Sequence, residues 1–157
     1  MRILTTEFDR LLQKHSTSTG LPVIVDFYSD SCGPCRMMAP IFKKVAEQYR
    51  DKAVFCKIDT NRQHELSSRY QIRSLPTFTY FLNGRKVDQD TGGIGEANLR
   101  QRTDQMVRNA EIENTRLSLD NLYDYYKVHD SSKSEADIQT VHEKCVGMTK
   151  KANDCVG

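Results

Sequence analysis

Cys32 and Cys35 form a C-x-x-C pair, the pattern with the clearest chemical meaning in this chain. Two thiols at this spacing can close a small disulfide ring and so exchange two electrons with another disulfide. The alternative is half of a zinc site, which needs a second pair of ligands. The sequence has no second C-x-x-C, and Cys56, Cys145 and Cys155 lack the spacing of a zinc ribbon. We therefore predict a redox pair and no metal site at these cysteines.

The residues that follow Cys32 predict a helix that begins at the cysteine pair. Apolar residues recur at helical spacing from Met37 to Tyr49, and Pro40 is expected to bend this helix without ending it. Cys32 would then lie at the positive end of the helix, where free N–H groups stabilise a thiolate, with Cys35 deeper inside. We predict that Cys32 is the nucleophile and Cys35 the resolving thiol.

Asp26 is an acid inside a continuous apolar and β-branched run, residues 21–28, which is typical of a central strand. Burial would raise the pKa of its carboxyl group, so that it could accept the proton of a buried thiol such as Cys35. The alternative is a buried acid that accepts backbone hydrogen bonds and has no catalytic part. The residues alone leave both interpretations open.

The other apolar patterns predict an α/β fold. A helix containing Phe8 precedes the first strand, and Asn83-Gly84 is a favoured hairpin turn. Further elements are expected as strands at 53–58, 77–82 and 85–91 and as helices at 63–70 and 97–110. This order predicts a central mixed β-sheet flanked by helices on both faces.

The chain is predicted to have a main domain, 1–110, a polar linker, 111–118, and a helical hairpin extension, 119–157, of unknown role. The extension carries six Lys or Arg and nine Asp or Glu from residue 111 onward, and Ser134 with Asp137 has the pattern of a capping box. It could pack on the main domain, bind a partner or mediate dimerisation. Its apolar positions are Leu119, Leu122, Tyr123, Tyr126, Ile138, Val141, Cys145, Met148, Ala152 and Cys155.

The remaining cysteines are expected to be inert. Cys56 lies in a predicted buried strand, and reactivity needs exposure. Cys145 and Cys155 would be about 15 Å apart along one helix, too far for a disulfide. His142 and Cys145 could be half of a metal site, but no matching second pair is evident. We expect neither a metal nor a cofactor.

Composition excludes several classes of partner and compartment. The formal charge of +2 does not suggest nucleic-acid binding, and no run is apolar and long enough to span a membrane. Charges within residues 1–20 are unlike a signal peptide. Five cysteines without regular spacing favour a reducing compartment, so we expect a cytoplasmic location, with the nucleus as the alternative.

Four segments together resemble the thioredoxin family. They are Val25-Asp26-Phe27-Tyr28, the run Cys32-Gly33-Pro34-Cys35-Arg36-Met37, the run Leu75-Pro76-Thr77-Phe78, and Gly92. The resemblance covers about residues 1–110 and implies a thioredoxin fold. It also implies a protein-disulfide reductase without a cofactor, which acts on disulfide-containing proteins and is itself reduced by a thioredoxin reductase.

The resemblance also assigns roles to single residues. Cys32 would be the nucleophile, Cys35 the resolving thiol, Asp26 the buried proton acceptor and Lys57 its partner. Pro76 would follow a cis peptide bond beside the dithiol, while the Leu75 backbone would pair with an extended substrate segment. The implied substrate-binding residues are Gly33, Pro34, Ser74, Leu75, Pro76 and Gly92.

Two positions depart from the family pattern. Ser31 stands where the family usually has tryptophan, and Tyr28 stands where many members carry a second tryptophan. Losing this apolar surface should alter substrate docking and recognition by a reductase. An alternative function is therefore an adaptor that recruits a partner through its helical tail, and a further one is an oxidant or isomerase.

Overall fold

The computed structural model describes residues 4–129 and 132–154, with side chains up to residue 144. The elements in chain order are α1 (Thr5–Lys14), β1 (Val23–Tyr28), α2 (Gly33–Gln48), β2 (Val54–Asp59), α3 (His64–Arg69), β3 (Thr77–Leu82), β4 (Arg85–Thr91), α4 (Gly95–His129) and α5 (Glu135–Asp154). A short π-helical segment, His15–Thr19, extends α1. The predicted strands agree with the observed ones within two residues at each end.

The strands form one mixed sheet in the order β2-β1-β3-β4. β1 pairs in parallel with β2 and antiparallel with β3, and β3 pairs antiparallel with β4. Asn83 and Gly84 connect the last two strands with φ angles of 49° and 74°. Positive φ at both central residues matches the right-handed twist of a two-residue hairpin. The predicted mixed sheet is confirmed.

Helices cover both faces of this sheet because the strands between them are apolar on both sides. Phe8 of α1 and Leu66 of α3 pack against the β1 face that carries Val25. Phe42 of α2 and Leu99 of α4 pack against the opposite face. Each fully buried side chain of this size stabilises the fold by about 1.5–3 kcal/mol. The predicted α/β architecture with helices on both faces is therefore confirmed.

β4 is an edge strand, and nearly all of its residues are exposed. Its register with β3 shifts between the pairs Tyr80–Asp88 and Phe81–Lys86. Val87 therefore has no partner across the pair and forms a bulge.

α4 differs from the prediction at its C-terminal half. It runs without interruption from Gly95 to His129, so residues 111–118, predicted as a linker, are helical. A run of polar side chains is compatible with a helix whose faces are exposed, and it is not by itself a helix stop. The chain divides into two compact units, the first ending at Glu111 and the second beginning at Ile112.

The second unit contains the end of α4 and helix α5. The predicted capping box is present, because the Asp137 N–H donates to Ser134 Oγ at 3.2 Å and the Ser134 N–H donates to Asp137 Oδ2 at 3.1 Å. Ile138 and His142 are buried. The predicted apolar stripe beyond residue 144 lies outside the described side chains. None of the helices described up to residue 154 combines the length and apolar composition that crossing a membrane requires.

Candidate redox site

Cys32 and Cys35 are joined by a disulfide, with their Cα atoms 5.3 Å apart. Cys32 caps the N-terminus of α2, and the helix begins at Gly33. Pro34 fits the first turn because the N–H that it lacks would have no partner within the helix. Cys35 is only 3% exposed and lies on the helix face of Met38, whereas Cys32 is half-buried. The structure thus brings the two predicted thiols together, one accessible and one inside.

The start of α2 provides a stabilising environment for negative charge on Cys32. The Cys35 backbone N–H donates to Cys32 Sγ, with N and Sγ 3.2 Å apart. The Cys32 N–H donates to the Ser29 carbonyl at 3.2 Å, which fixes the loop before the helix. Unpaired N–H groups and the helix dipole both favour a thiolate at this position. The geometry therefore supports a nucleophile at Cys32 and not at Cys35.

Asp26 lies fully buried in β1, directly opposite Lys57 of β2. Lys57 Nζ is 3.8 Å from Asp26 Oδ2. Neither carboxylate oxygen has a hydrogen-bond partner in the part of the chain that the structure describes, so the expectation that backbone N–H groups satisfy this acid is wrong. Whether Asp26 takes part in catalysis stays a prediction. Burial raises the pKa of Asp26 and the positive charge of Lys57 opposes this rise, which leaves a net value of about 6.

Asp26 and Cys35 belong to elements that pack on the same side of the sheet. Side chains alternate along β1, so Asp26 and Ile24 point to the same face of the sheet. Ile24 packs with Met38 and Phe42 of α2 on that face. Cys35 belongs to the same side of α2, although Asp26 makes no hydrogen bond to it.

The loop before β3 contains the other predicted residues. The Leu75–Pro76 peptide bond is cis, as the resemblance implies. Ser74 is exposed and its carbonyl accepts a hydrogen bond from Thr77 Oγ1 at 2.7 Å, while Leu75 packs partly on the core. The Gly92 N–H donates to the Pro76 carbonyl at 2.8 Å, and Gly92 has a φ of 92°, which disfavours any residue with a side chain. The structure therefore links Pro76 and Gly92 directly.

The surface beside Cys32 differs from what an apolar tryptophan would provide. Ser31 is exposed, and its Oγ lies 3.2 Å from Ser29 Oγ. Arg36 Nη1 donates to the Asp30 carbonyl at 3.2 Å. Met37, on the first turns of α2, is 76% exposed. Apolar surface near the nucleophile thus comes from the helix, a feature that sequence reasoning missed.

Tyr28 is another residue whose contact was missed. Lys57 Nζ lies 4.2 Å from the centre of its ring. Tyr28 follows Asp26 by two positions on the same strand, so strand alternation already places both on one face. What the sequence does not provide is the register of β2, which puts Lys57 next to both.

The remaining cysteine with a described side chain is not reactive. Cys56 is buried, and this burial raises its pKa to about 12. Cys145 and Cys155 lie outside the described side chains. Among the residues that the structure describes, no group of His, Cys, Asp and Glu is arranged to hold a metal ion.

A family model described as Thioredoxin matches residues 1–105. This chain belongs to the thioredoxin family. Its thioredoxin relatives include thioredoxin 1 of Nostoc sp., 38% identical over 93 residues that cover 59% of this chain and 87% of that protein. The thioredoxin of Mycoplasmoides gallisepticum is 41% identical over 95 residues, which cover 60% of this chain and 89% of the relative.

Solved thioredoxin structures match the same region. Fasciola hepatica thioredoxin has a TM-score of 0.61 and 29% identity, and the match covers 68% of this chain and 99% of the Fasciola chain. The thioredoxin of Plasmodium falciparum has a TM-score of 0.59 and 32% identity, covering 67% and 98%. Family membership and the Cys32–Cys35 pair together identify the chain as a thiol-disulfide oxidoreductase. The family match ends at residue 105, before the second unit begins.

Proposed function

We propose that this thioredoxin-family chain is a protein-disulfide reductase. The observation that carries the proposal is the position of the cysteine pair at the start of α2, with Cys32 partly accessible and Cys35 buried. An accessible sulfur stabilised by a helix N-terminus can attack a partner, and a buried one is protected from outside disulfides. This asymmetry suits a reductase that binds its substrate covalently for a short time.

The reaction proceeds by two exchanges of sulfur partners. The Cys32 thiolate attacks one sulfur of a substrate disulfide, a Cys32–substrate bond forms, and the other substrate sulfur leaves as a thiolate. Cys35 then loses its proton and attacks Cys32 Sγ, which releases the second substrate thiolate and closes the Cys32–Cys35 disulfide. Two electrons pass from the dithiol to the substrate, and the released thiolates take up protons from water.

Asp26 accepts the proton of Cys35 in this scheme, either directly or through a water molecule. A pKa of about 6 supports this role, since a base that titrates near neutrality is available in the ionised form and can still hold a proton. Lys57, 3.8 Å away, favours the ionised form of Asp26 and is its partner in the scheme.

An extended substrate segment binds beside the cysteines in this proposal. The Leu75 backbone would pair with it as an added strand. The hydrogen bond from the Gly92 N–H to the Pro76 carbonyl ties this loop to the end of β4. Gly33 and Pro34, at the start of α2, and Ser74, which is exposed, complete the proposed contact surface.

The proposed partners are disulfide-containing proteins and, as electron donor, a thioredoxin reductase. The exposed Ser31 in place of the usual tryptophan changes the surface that both would meet. We also propose a cytoplasmic location, with the nucleus as the alternative, because the cysteine pattern suits a reducing compartment.

The decisive experiment is a trap with the full chain. Cys35→Ser removes the resolving thiol, so mixed disulfides with substrate proteins should accumulate in cell extract and disappear with dithiothreitol. Cys32→Ser is the matched control and should trap nothing. The unmodified chain should also accelerate reduction of insulin by dithiothreitol. No adducts with Cys35→Ser, together with insulin reduction that Cys32→Ser leaves unchanged, would overturn the proposal and favour an adaptor.

A further inference from the structure

One ammonium group connects Tyr28 with Asp26. Both residues lie on the same face of β1, and Lys57 stands opposite Asp26 on β2. Lys57 Nζ is 3.8 Å from Asp26 Oδ2 and 4.2 Å from the centre of the Tyr28 ring. A cation within about 6 Å of a ring centre is attracted to the electron-rich face of that ring. Lys57 therefore has two attractive partners at once.

Asp26 alone does not hold this lysine firmly. The distance of 3.8 Å is longer than a hydrogen bond, and the Lys57 side chain is 38% exposed. Lys57 also lines an open groove of about 470 Å³ between α2 and β2, together with Phe42 and Phe55. A flexible side chain with open space beside it can extend into water, which hydrates an ammonium group strongly. The ring of Tyr28 opposes that movement.

The Tyr28 ring is itself well placed for this task. Its backbone carbonyl accepts two hydrogen bonds from Thr60, one from N at 2.9 Å and one from Oγ1 at 3.2 Å. Burial, helped by the negative charges of Asp59 and Asp30, raises the pKa of Tyr28, so the phenol stays neutral. The strand backbone at Tyr28 is thus fixed, and its neutral ring presents a face to Lys57.

We propose that Tyr28 is a positioning residue of the redox site, whose ring holds Lys57 beside Asp26 and so controls how readily Asp26 takes up a proton. The inference rests on the proposed function of Asp26 for its relevance to catalysis. Its structural content is independent of that role, because it concerns only which contacts keep the ammonium near the carboxylate.

Other ionisable groups also face this contact. On β3 the residue opposite Asp26 is Phe78, which is uncharged. On α2 the titratable groups on this side of the sheet include Cys35, which is in the disulfide when the protein is oxidised, and Lys43, which lines the same groove as Lys57. From the strands and nearby loops, Lys57 acts on Asp26, while Asp59, Asp30, Arg62 and Asp26 itself act on Tyr28.

The sign of the expected effect follows from these contacts. Burial raises the pKa of Asp26 and Lys57 lowers it, to the net value of about 6. If the ammonium moves away, the lowering contribution weakens and the pKa of Asp26 rises. The strength of an ordinary cation–π contact limits this rise to about half a pH unit.

The test is a carboxyl ¹³C NMR titration of Asp26 in the oxidised full-length protein, where neither active-site thiol titrates. Tyr28→Leu keeps an apolar cover but removes the ring, so the midpoint should rise by about half a unit. Tyr28→Phe keeps the ring and should leave the midpoint in place. Replacing Tyr28 with pentafluorophenylalanine preserves the ring shape but reverses its electrostatic face, and should also raise the midpoint, which covers the case that the leucine variant fails to fold.

A double-mutant cycle separates positioning from general packing. Lys57→Met should raise the Asp26 midpoint more than Tyr28→Leu does, and adding Tyr28→Leu to Lys57→Met should then change nothing further. An unchanged or lowered midpoint in Tyr28→Leu, or the same rise in the presence and absence of Lys57, would overturn the proposal. The titration does not depend on turnover. A failed Cys35→Ser trap with an intact midpoint shift would therefore count against the reductase proposal only.

Discussion

Asp26 and Asp90 lie in the same sheet but differ in the hydrogen bonds that their carboxylates accept and in the direction of their pKa shifts. Asp90, on β4, accepts hydrogen bonds from Arg102 Nε at 2.7 Å, from Arg102 Nη2 at 2.9 Å and from the Tyr80 hydroxyl at 2.9 Å. Asp26 is fully buried and accepts none from the described residues. The hydrogen bonds from Arg102 lower the pKa of Asp90, whereas burial raises that of Asp26.

The difference separates two uses of a carboxylate. Asp90 connects the edge of the sheet to α4, and its charge is balanced by the Arg102 guanidinium in a paired geometry. Asp26 has no hydrogen bond from the described residues and lies beside a lysine that only partly compensates its burial. A carboxylate with a full set of hydrogen bonds cannot take up a proton near neutral pH, whereas a buried carboxylate that lacks hydrogen bonds can. The cost in stability at Asp26 is therefore part of what makes it a candidate base.

The largest expected effect is a gain in stability on neutralising Asp26. The folded-state pKa of about 6 lies above the ordinary aspartate value of 3.8, so the folded protein binds this proton more tightly than the unfolded chain does. The free energy of unfolding must then fall as the pH rises from the unfolded pKa of 3.8 to the folded pKa of about 6. Above pH 6 the loss amounts to about 3 kcal/mol. Asp26→Asn should recover about that amount at pH 8 and almost nothing near pH 4. Urea unfolding of the oxidised protein at both values measures it.

Asp90→Asn is the control for that experiment and should have the opposite sign. A lowered folded-state pKa means that ionised Asp90 stabilises the fold above its unfolded pKa, and that this contribution is lost as the pH falls through the folded pKa. The variant should therefore lose stability at pH 8 and lose less in acid. Changes of equal size at both pH values for either variant would break the comparison.

The next effect is a loss of stability on removing Arg102. Arg102→Leu preserves helix propensity but removes the ion pair with Asp88 and leaves Asp90 with Tyr80 as its remaining hydrogen-bond donor among the described residues. Loss of charge-assisted hydrogen bonds in a partly buried place should cost about 2 kcal/mol, measured by urea unfolding at pH 7. Arg100→Leu is the matched variant, since Arg100 pairs with Glu96 on the helix surface, and it should shift the midpoint little. Equal losses of stability in the two variants would show that the contacts of Arg102 contribute no more than an ordinary surface ion pair does.

The smallest effect concerns an unpaired polar group away from the redox pair. Thr79 is fully buried on β3, and its hydroxyl has no partner among the described residues. Thr79→Val should stabilise the fold by about 1 kcal/mol, because an apolar group of similar shape replaces an unsatisfied one. Thr103→Val is the control, as Thr103 Oγ1 donates to the Leu99 carbonyl at 2.8 Å, and it should bring no gain. If Thr103→Val also stabilised the fold, the gain would come from removing a buried hydroxyl and not from removing one that lacks a hydrogen-bond partner.

Much of the fold was predictable because local signals were strong and consistent. Apolar runs bounded by turn residues located the strands, and Asn83-Gly84 located the hairpin through its backbone preference. The C-x-x-C pair located the redox centre, because two thiols within four consecutive residues can close a small disulfide ring. Helix α2 passes Pro40 without ending, as expected for one missing backbone donor.

The rest depended on information that a single sequence does not contain. Residues 111–118 have no apolar stripe, yet they continue α4, because helix continuity needs backbone hydrogen bonds and not an apolar face. The contact of Lys57 with Tyr28 depends on the register between β1 and β2, which pairs residues thirty positions apart. The roles of Asp26 and of the substrate-binding residues stay predictions that the titration and the trap can test.

The bulge at Val87 has a consequence for how the protein behaves at high concentration. An open strand edge offers free N–H and C=O groups with which a second sheet could associate. Around Val87, β4 carries Arg85, Lys86, Asp88 and Asp90, so an approaching strand would meet both an irregular backbone and side chains that must give up water. This side of the molecule is thereby protected from sheet-to-sheet aggregation, and a straight, uncharged version of the same strand would not be.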